Sequence, residues 1–319
     1  MARILVTGAS GFIGGQLVKA LKERGHWVRA LLEPGSRLDG IAPYLDERVF
    51  HDLRLGPGLE RAAGRCDAVM HLAALVRDYG PWEDFEANNL RATQNLYEAC
   101  RKAGTGRFLF LSSLAALASP SRGGAPLLAG GYARSKAECD RYLQNQTLGP
   151  DWTILRPGFW VFGPGDHKTL RPICRMAASG HAVWVRGGRA ATCVSFVGNL
   201  VEAIRLAAFS QKTARQALVA TDGVRVTWRD ILKGIAKNLG VPLRIWSIPY
   251  PLALGLGGLN EAVLRNWPRV PPWMTRYRAQ AGALDTHWAT SEVLTKAGYA
   301  PVVDLSQALK KSVEWFKGL

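Results

Sequence analysis

Short apolar, β-branched runs alternate with longer stretches of helical period along the first 155 residues. Residues 3–7 (RILVT) read as a strand, and 12–24 as a helix with Ile13, Leu17 and Leu21 on one face. Strands are predicted again at 27–32 (WVRALL), near 48–50 (RVF), at 68–73 (AVMHLA), 107–111 (RFLFL) and 152–155 (WTIL). Helices are predicted over 85–103, stopped by Gly104, and over 130–147. Strand runs that are apolar on both faces belong in a parallel sheet covered by helices. The pattern therefore predicts a doubly wound α/β fold.

After Arg156 the rhythm changes. Proline and glycine interrupt the chain often (RPGFWVFGPGD, SIPYPLALGLGG, WPRVPPW), and tryptophan becomes dense. The expected organisation is a dinucleotide-binding unit over 1–155, with 194–221 returning to its sheet. A smaller mixed C-terminal substrate lobe is expected from 156–193 and 222–319.

Composition narrows the function classes. Hydrophobic residues make up 48% of the 319 and charged residues 21%, ordinary for a soluble globular chain. Five scattered cysteines form no CxxC pair, and six histidines form no HxxxH or HExxH pattern, so neither a metal site nor a disulfide framework is expected. MARILVTGASG enters a strand at once, and no run of about 18 apolar residues appears; a cytoplasmic protein is expected. The formal charge is +16. Most basic residues are spread along helix faces, as at Lys19, Lys22 and Arg24, so no nucleic-acid partner is expected. The exception is 245–278, where IWSIPYPLALGLGGL precedes Arg265, Arg269, Arg276 and Arg278, interleaved with Trp267 and Trp273 against the single acid Glu261. That segment reads either as ordinary lobe core or as a peripheral contact with an anionic membrane surface.

The chemistry-bearing residues follow strand ends. The first strand runs into TGASGFIG, whose Gly8, Gly11 and Gly14 let the backbone turn and approach a pyrophosphate at a helix N-terminus, with Ser10, Phe12 and Ile13 beside them. This makes the fold Rossmann-type. Asp52 and Leu53 follow the third strand, where a carboxylate can accept from an adenine amino group or merely sit in a solvated turn. Leu72, Ala73 and Ala74 end the fourth strand with small side chains. Ser112 and Ser113 close the fifth, and Tyr132 and Lys136 follow with i, i+4 spacing on one helix face. A nearby ammonium favours phenolate, so Lys136 is expected to lower the Tyr132 pKa toward working pH.

Together these residues resemble the extended short-chain dehydrogenase/reductase family (NAD-dependent epimerase/dehydratase, 3β-hydroxysteroid dehydrogenase-like branch). The resemblance covers the whole chain and adds the NNLRATQNL helix, LRPGFWVFGPGD, FVGNLVEAI and the terminal DLSQALKKSVEWF helix. It implies Tyr132 as general acid/base, Ser113 as holder of the reacting oxygen, and Lys136 on the nicotinamide ribose. It also implies Asn89 near the cofactor and Pro157 and Gly158 at the nicotinamide end.

Three departures bear on function. Glu33 stands where many NADP-using relatives carry arginine, although the usual NAD-type aspartate position is Leu32 and Arg37 can reach a phosphate; the cofactor is NAD or NADP, with NAD slightly favoured. From Arg156 to Gly163 the chain is one residue longer than the usual RPxxxYG, with Phe162 for the tyrosine, which would reshape the pocket. Leu114 and Ala115 replace the Asp-Glu pair of sugar-nucleotide dehydratases, so dehydration is not expected. Three readings remain open: an alcohol/ketone oxidoreductase, a nucleotide-sugar epimerase with retained NAD, and a non-catalytic cofactor-binding subunit. The favoured substrate is a bulky apolar, sterol-like or long-chain alcohol or ketone, met by Leu75, Leu114, Phe159 and Trp160. Trp184, Trp246, Tyr250 and Leu254 add apolar groups to that lobe, while Arg156, Arg171, Arg175 and Arg186 keep a diphosphate in play. A homodimer is also considered.

Overall fold

The computed structural model describes residues 1–118, 130–264 and 273–319. Its centre is a seven-stranded, all-parallel sheet built from β1 (Arg3–Thr7), β2 (Trp27–Leu32), β3 (Glu47–Phe50), β4 (Ala68–His71), β5 (Arg107–Leu111), β6 (Asp151–Pro157) and a late strand, Gln216–Ala220. Their spatial order is β3-β2-β1-β4-β5-β6 followed by Gln216–Ala220. The chain reverses direction of travel across the sheet between β1 and β4, where α/β folds of this type bind ligands. Helices Phe12–Glu23 and Val197–Phe209 cover one face, and Ala92–Ala103 and Gly131–Gln144 cover the other. Apolar residues on both faces of β1 and β5 are buried between these layers, which is why those strands read as continuous hydrophobic runs.

Two elements differ from the sequence expectation. The helix expected over 85–103 starts earlier, with Trp82–Phe85, passes through a π-helical stretch Glu86–Arg91 and only then becomes the α-helix Ala92–Ala103. Apolar periodicity does not register one widened turn. The fourth strand stops at His71, because Leu72 onward bends toward the sheet's carboxyl edge.

The remaining chain forms a smaller layer beyond that edge. Short ribbons pair β7 (Trp160–Phe162) with Val194–Phe196, β8 (His181–Val185) with Arg244–Ile248, and Ala191–Thr192 with Val226–Thr227. Its core joins Trp160, Phe162, Phe196 and Trp228 to the terminal helix Leu305–Lys317. Among the described residues no helix is long and apolar enough to cross a membrane.

Candidate active site

Parallel strands deliver the ends of β1, β4, β5 and β6 to one edge, so the sequence motifs that follow them converge there. Gly8 has φ +70°, and a Cβ on it would meet the Ala73 amide nitrogen at 2.8 Å. A Cβ on Gly14 would lie 2.0 Å from the Gly8 carbonyl oxygen. The turn is thus packed against the backbone after β4 on one side and its own helix on the other. Gly11 begins helix Phe12–Glu23 with no side-chain cap and no acid in the first turn, leaving backbone N–H groups directed outward. Ser10 is exposed there, while Phe12 and Ile13 turn toward the lobe core. These features fit a dinucleotide pyrophosphate.

The turns after β2 and β3, where adenosine is expected, are charged. Glu33 is exposed after β2. Arg37 pairs with Asp39 at 2.9 Å, and Arg54, unanticipated from sequence, grips both oxygens of Asp52 at 2.6–2.9 Å. The Arg54 hydrogen bonds hold the Asp52 carboxyl below the usual carboxylate range. Leu53 packs against the sheet-side core.

Ser113 lies just past β5 in an extended conformation, and its hydroxyl oxygen accepts from the Ala115 N–H at 3.1 Å. Its own hydrogen is thereby left for another acceptor, and the hydroxyl lies close enough to the Tyr132 phenol to oppose the rise of that group's pKa. Ser112 beside it is 3% exposed, and its Oγ has no hydrogen-bond partner among the described residues. Lys136, one turn beyond Tyr132, is 2% exposed; its Nζ donates to the Leu111 carbonyl at 2.9 Å and sits 4.4 Å from the Phe110 ring centroid. Burial pulls the Lys136 pKa down to about 8.

The expected lowering of the Tyr132 pKa by Lys136 is corrected. Burial pushes Tyr132 up to about 12, opposed by the Ser113 hydrogen bond, and the Lys136 ammonium is turned toward Leu111. Within the protein alone, Tyr132 is a well-protonated acid.

Asn89 belongs to the scaffold of this centre. It is 2% exposed, accepts from the Leu75 N–H at 2.7 Å, and donates to the Leu75 carbonyl at 3.2 Å and to Ser135 Oγ at 2.8 Å. Ser135 in turn donates to the Tyr132 carbonyl at 2.9 Å. The π-helical stretch carries Asn89 to this bridge, as such widened turns often do at functional sites. Deeper down, Thr7 and Thr93 flank the His71 ring at 2.7 and 3.0 Å. Thr93 donates to the Asn89 carbonyl, so it accepts from His71 Nε2, and the ring is the neutral Nε2–H tautomer. A buried ion pair, Arg156 with Asp140 at 2.8 Å, fastens the Tyr132 helix to β6.

Beyond β6, the turn at Gly158 and Phe159 separates two aromatic rings. Gly158 follows Pro157, the last residue of β6, and passes so close to Val194–Ser195 that a Cβ would lie 2.5 Å from the Val194 carbonyl carbon. Its N–H donates to Ser195 Oγ at 2.8 Å. Phe159 then turns toward Tyr132, Ala115, Ala118 and Ala133. Trp160, expected to meet substrate, is corrected to lobe core: it stacks on Phe162 at 4.6 Å and donates to Thr169 at 3.1 Å. Leu114 is fully buried against Cys193 and Val219, next to Phe159. Leu72, Ala73, Ala74 and Leu75, which follow β4, are half-buried. The lobe also supplies Tyr277 and Ala281, from helix Arg276–Ala283, to the cluster around Tyr132. Tyr277 went unnoticed in the sequence because no spacing ties it to the YxxxK pair.

The NAD dependent epimerase/dehydratase family model matches residues 4–238. The chain belongs to that family. It is similar to a 4-hydroxy-2-methyl-3-oxo-4-farnesyl-3,4-dihydroquinoline-1-oxide ketoreductase of Stigmatella aurantiaca, 28% identical with 82% of this chain and 81% of the relative covered. It resembles a ceramide reductase of Caulobacter vibrioides, 30% identical over 98% and 94% of the two chains. A 3 beta-hydroxysteroid dehydrogenase/Delta 5→4-isomerase of Mycobacterium tuberculosis is 26% identical over 100% and 91%. Among solved structures, the Thermus thermophilus UDP-glucose 4-epimerase complex with NAD superimposes with a TM-score of 0.75, at 25% identity over 99% of each chain. The chain is thus a short-chain dehydrogenase/reductase-type enzyme acting on CH–OH groups with a nicotinamide cofactor.

Proposed function

We propose that this enzyme interconverts a secondary alcohol and a ketone on a bulky apolar substrate. The observation that carries the reading is the set of apolar side chains packed around Tyr132: Phe159, Tyr277, Ala281, Ala115 and Ala118. Apolar walls gain about 25 cal/mol per Å² of apolar ligand surface removed from water, whereas unpaired sugar hydroxyls cost free energy there. Two of the arginines that could hold a diphosphate are committed elsewhere: Arg156 to buried Asp140, and Arg186 to the Ala283 carbonyl at 2.9 Å. The names of the relatives above, with a farnesyl group, a ceramide and a steroid, point the same way.

In this reading the substrate oxygen lies between Ser113, which donates a hydrogen bond to it, and Tyr132, which transfers the proton. Tyr132 stays protonated at neutral pH, so reduction finds its acid ready. Gly8, Gly11 and Gly14 would hold the pyrophosphate, Lys136 the nicotinamide ribose, and Pro157 and Gly158 the nicotinamide end. The cofactor supplies hydride chemistry when bound. NAD is favoured over NADP, since exposed Glu33 repels a 2′-phosphate and Arg37 is engaged by Asp39.

The second reading, a nucleotide-sugar epimerase, draws on the likeness to the NAD-bound epimerase. Titration with UDP-glucose beside a panel of long-chain ketones and 3β-hydroxysteroids separates the two. Turnover of an apolar compound with weak UDP-sugar binding is expected; micromolar UDP-sugar affinity without apolar turnover reverses the assignment.

A further inference from the structure

Helix Tyr250–Leu264 is apolar on its outer face as well as its inner one. Its solvent-facing arc consists of Pro251, Leu252, Gly255, Leu259, Ala262 and Val263, without one polar side chain. Leu252, Leu259 and Val263 are 55%, 62% and 51% exposed. Its polar residues turn toward the neighbouring chain instead: Asn260 donates to the Met274 carbonyl at 3.3 Å, and Glu261 takes the Arg276 N–H and guanidinium at 2.8 and 2.7 Å. The inner face also holds Ala253, fully buried, and Gly257, where a Cβ would lie 2.6 Å from the Thr275–Arg276 backbone. A helix packed on one side and wet on the other normally carries polar side chains on the wet side. Contiguous exposed apolar surface of this kind marks an interaction site.

We propose that this face docks on an anionic bilayer surface. Charge selects the occupant. The chain carries +16, and between Arg244 and Arg278 the sequence has five arginines against one acid, Glu261, with Arg276 paired to Glu261 and Arg278 to Asp78. That balance opposes pairing with a second copy and favours a negatively charged surface. Trp246 and Trp273 bracket the helix in sequence and are 49% and 60% exposed, as suits rings at the headgroup level. Trp246 also stacks under the Arg244 guanidinium at 4.6 Å. Arg265, Trp267 and Arg269, part of the same sequence stretch, lie outside the described residues. At 15 residues the helix lies along an interface rather than across it. Gly257 presses it onto the start of helix Arg276–Ala283, which carries Tyr277 to the Tyr132 cluster. The apolar-substrate reading adds that substrate enters from the bilayer; the docking itself stands without that reading.

The test is co-sedimentation of the full chain with phosphatidylcholine vesicles, with and without phosphatidylglycerol, at low and high salt. Wild type is expected to bind the phosphatidylglycerol vesicles, and Leu259→Asp/Val263→Asp to lose more than ~10-fold in affinity while keeping its circular dichroism spectrum. Three outcomes overturn the proposal. Wild type binds no vesicle; or the variant binds equally well; or wild type is a dimer that the variant dissociates, in which case a second copy covers the face. Vesicle binding is read without any substrate, so its failure is distinct from failure of the oxidoreductase reading.

Discussion

A Cβ placed on Gly131 would stand 2.2 to 2.9 Å from ring carbons of Phe85. Gly131 is the first residue of the helix carrying Tyr132, and Phe85 is the fully buried last residue of the helical turn leading into the π-helical stretch with Asn89. The two halves of the site are therefore in ring-to-backbone contact one residue before the candidate acid.

Gly131→Ala is expected to displace the start of that helix, at a cost of ~1–3 kcal/mol for overpacking. Turnover should fall more than the melting temperature suggests. The double variant Gly131→Ala/Phe85→Leu, with room restored, should recover much of both. Independent, additive losses in a double-mutant cycle would contradict the contact's importance.

The neutral, buried His71 makes a pH prediction. Burial, with the Lys136 charge added, pushes its pKa down to about 3. An unfolded histidine titrates near ~6.5. Between those values the unfolded chain takes up a proton that the folded one refuses. The His71 contribution is therefore fully present above pH ~6.5 and is lost as pH falls toward 3. Denaturant titrations across that window should show a shallower loss of stability for His71→Gln than for wild type. Equal slopes would remove His71 from the acid response.

Much of this was legible in the sequence, and the limits have physical causes. Strand runs, glycine spacing and the YxxxK pair are local patterns, and the parallel sheet brings them to one edge without further information. The π-helical stretch, by contrast, is a tertiary compromise that lets Asn89 reach Leu75 and Ser135. Phe159 and Trp160 look equivalent in sequence, yet Phe159 sits at a bend and packs in the cluster with Tyr132, whereas Trp160 opens β7 and packs in the lobe core. The i, i+4 spacing shows that Lys136 is near Tyr132, but not that Tyr132 is buried or that Leu111 holds the Lys136 ammonium.

Tyr277 is the residue that long-range folding alone reveals. Burial raises its pKa, and its ring packs against the same alanine cluster as Tyr132. Tyr277→Ala should raise KM for an apolar substrate ~10-fold with a smaller effect on kcat, the signature of lost substrate contact. Tyr277→Phe should restore KM if the ring is what matters. An equal fall in kcat for both variants would instead place the Tyr277 hydroxyl in the chemistry.

The most direct measurement is the initial rate of NADH- or NADPH-linked reduction of a bulky apolar ketone by wild type and by Tyr132→Phe. That substitution leaves the ring and the glycine turn intact, so the variant should still bind cofactor, seen by fluorescence titration. Its kcat should nonetheless fall by at least ~10²-fold, the scale for losing a positioned proton donor. Near-normal turnover in Tyr132→Phe would contradict the account at its centre.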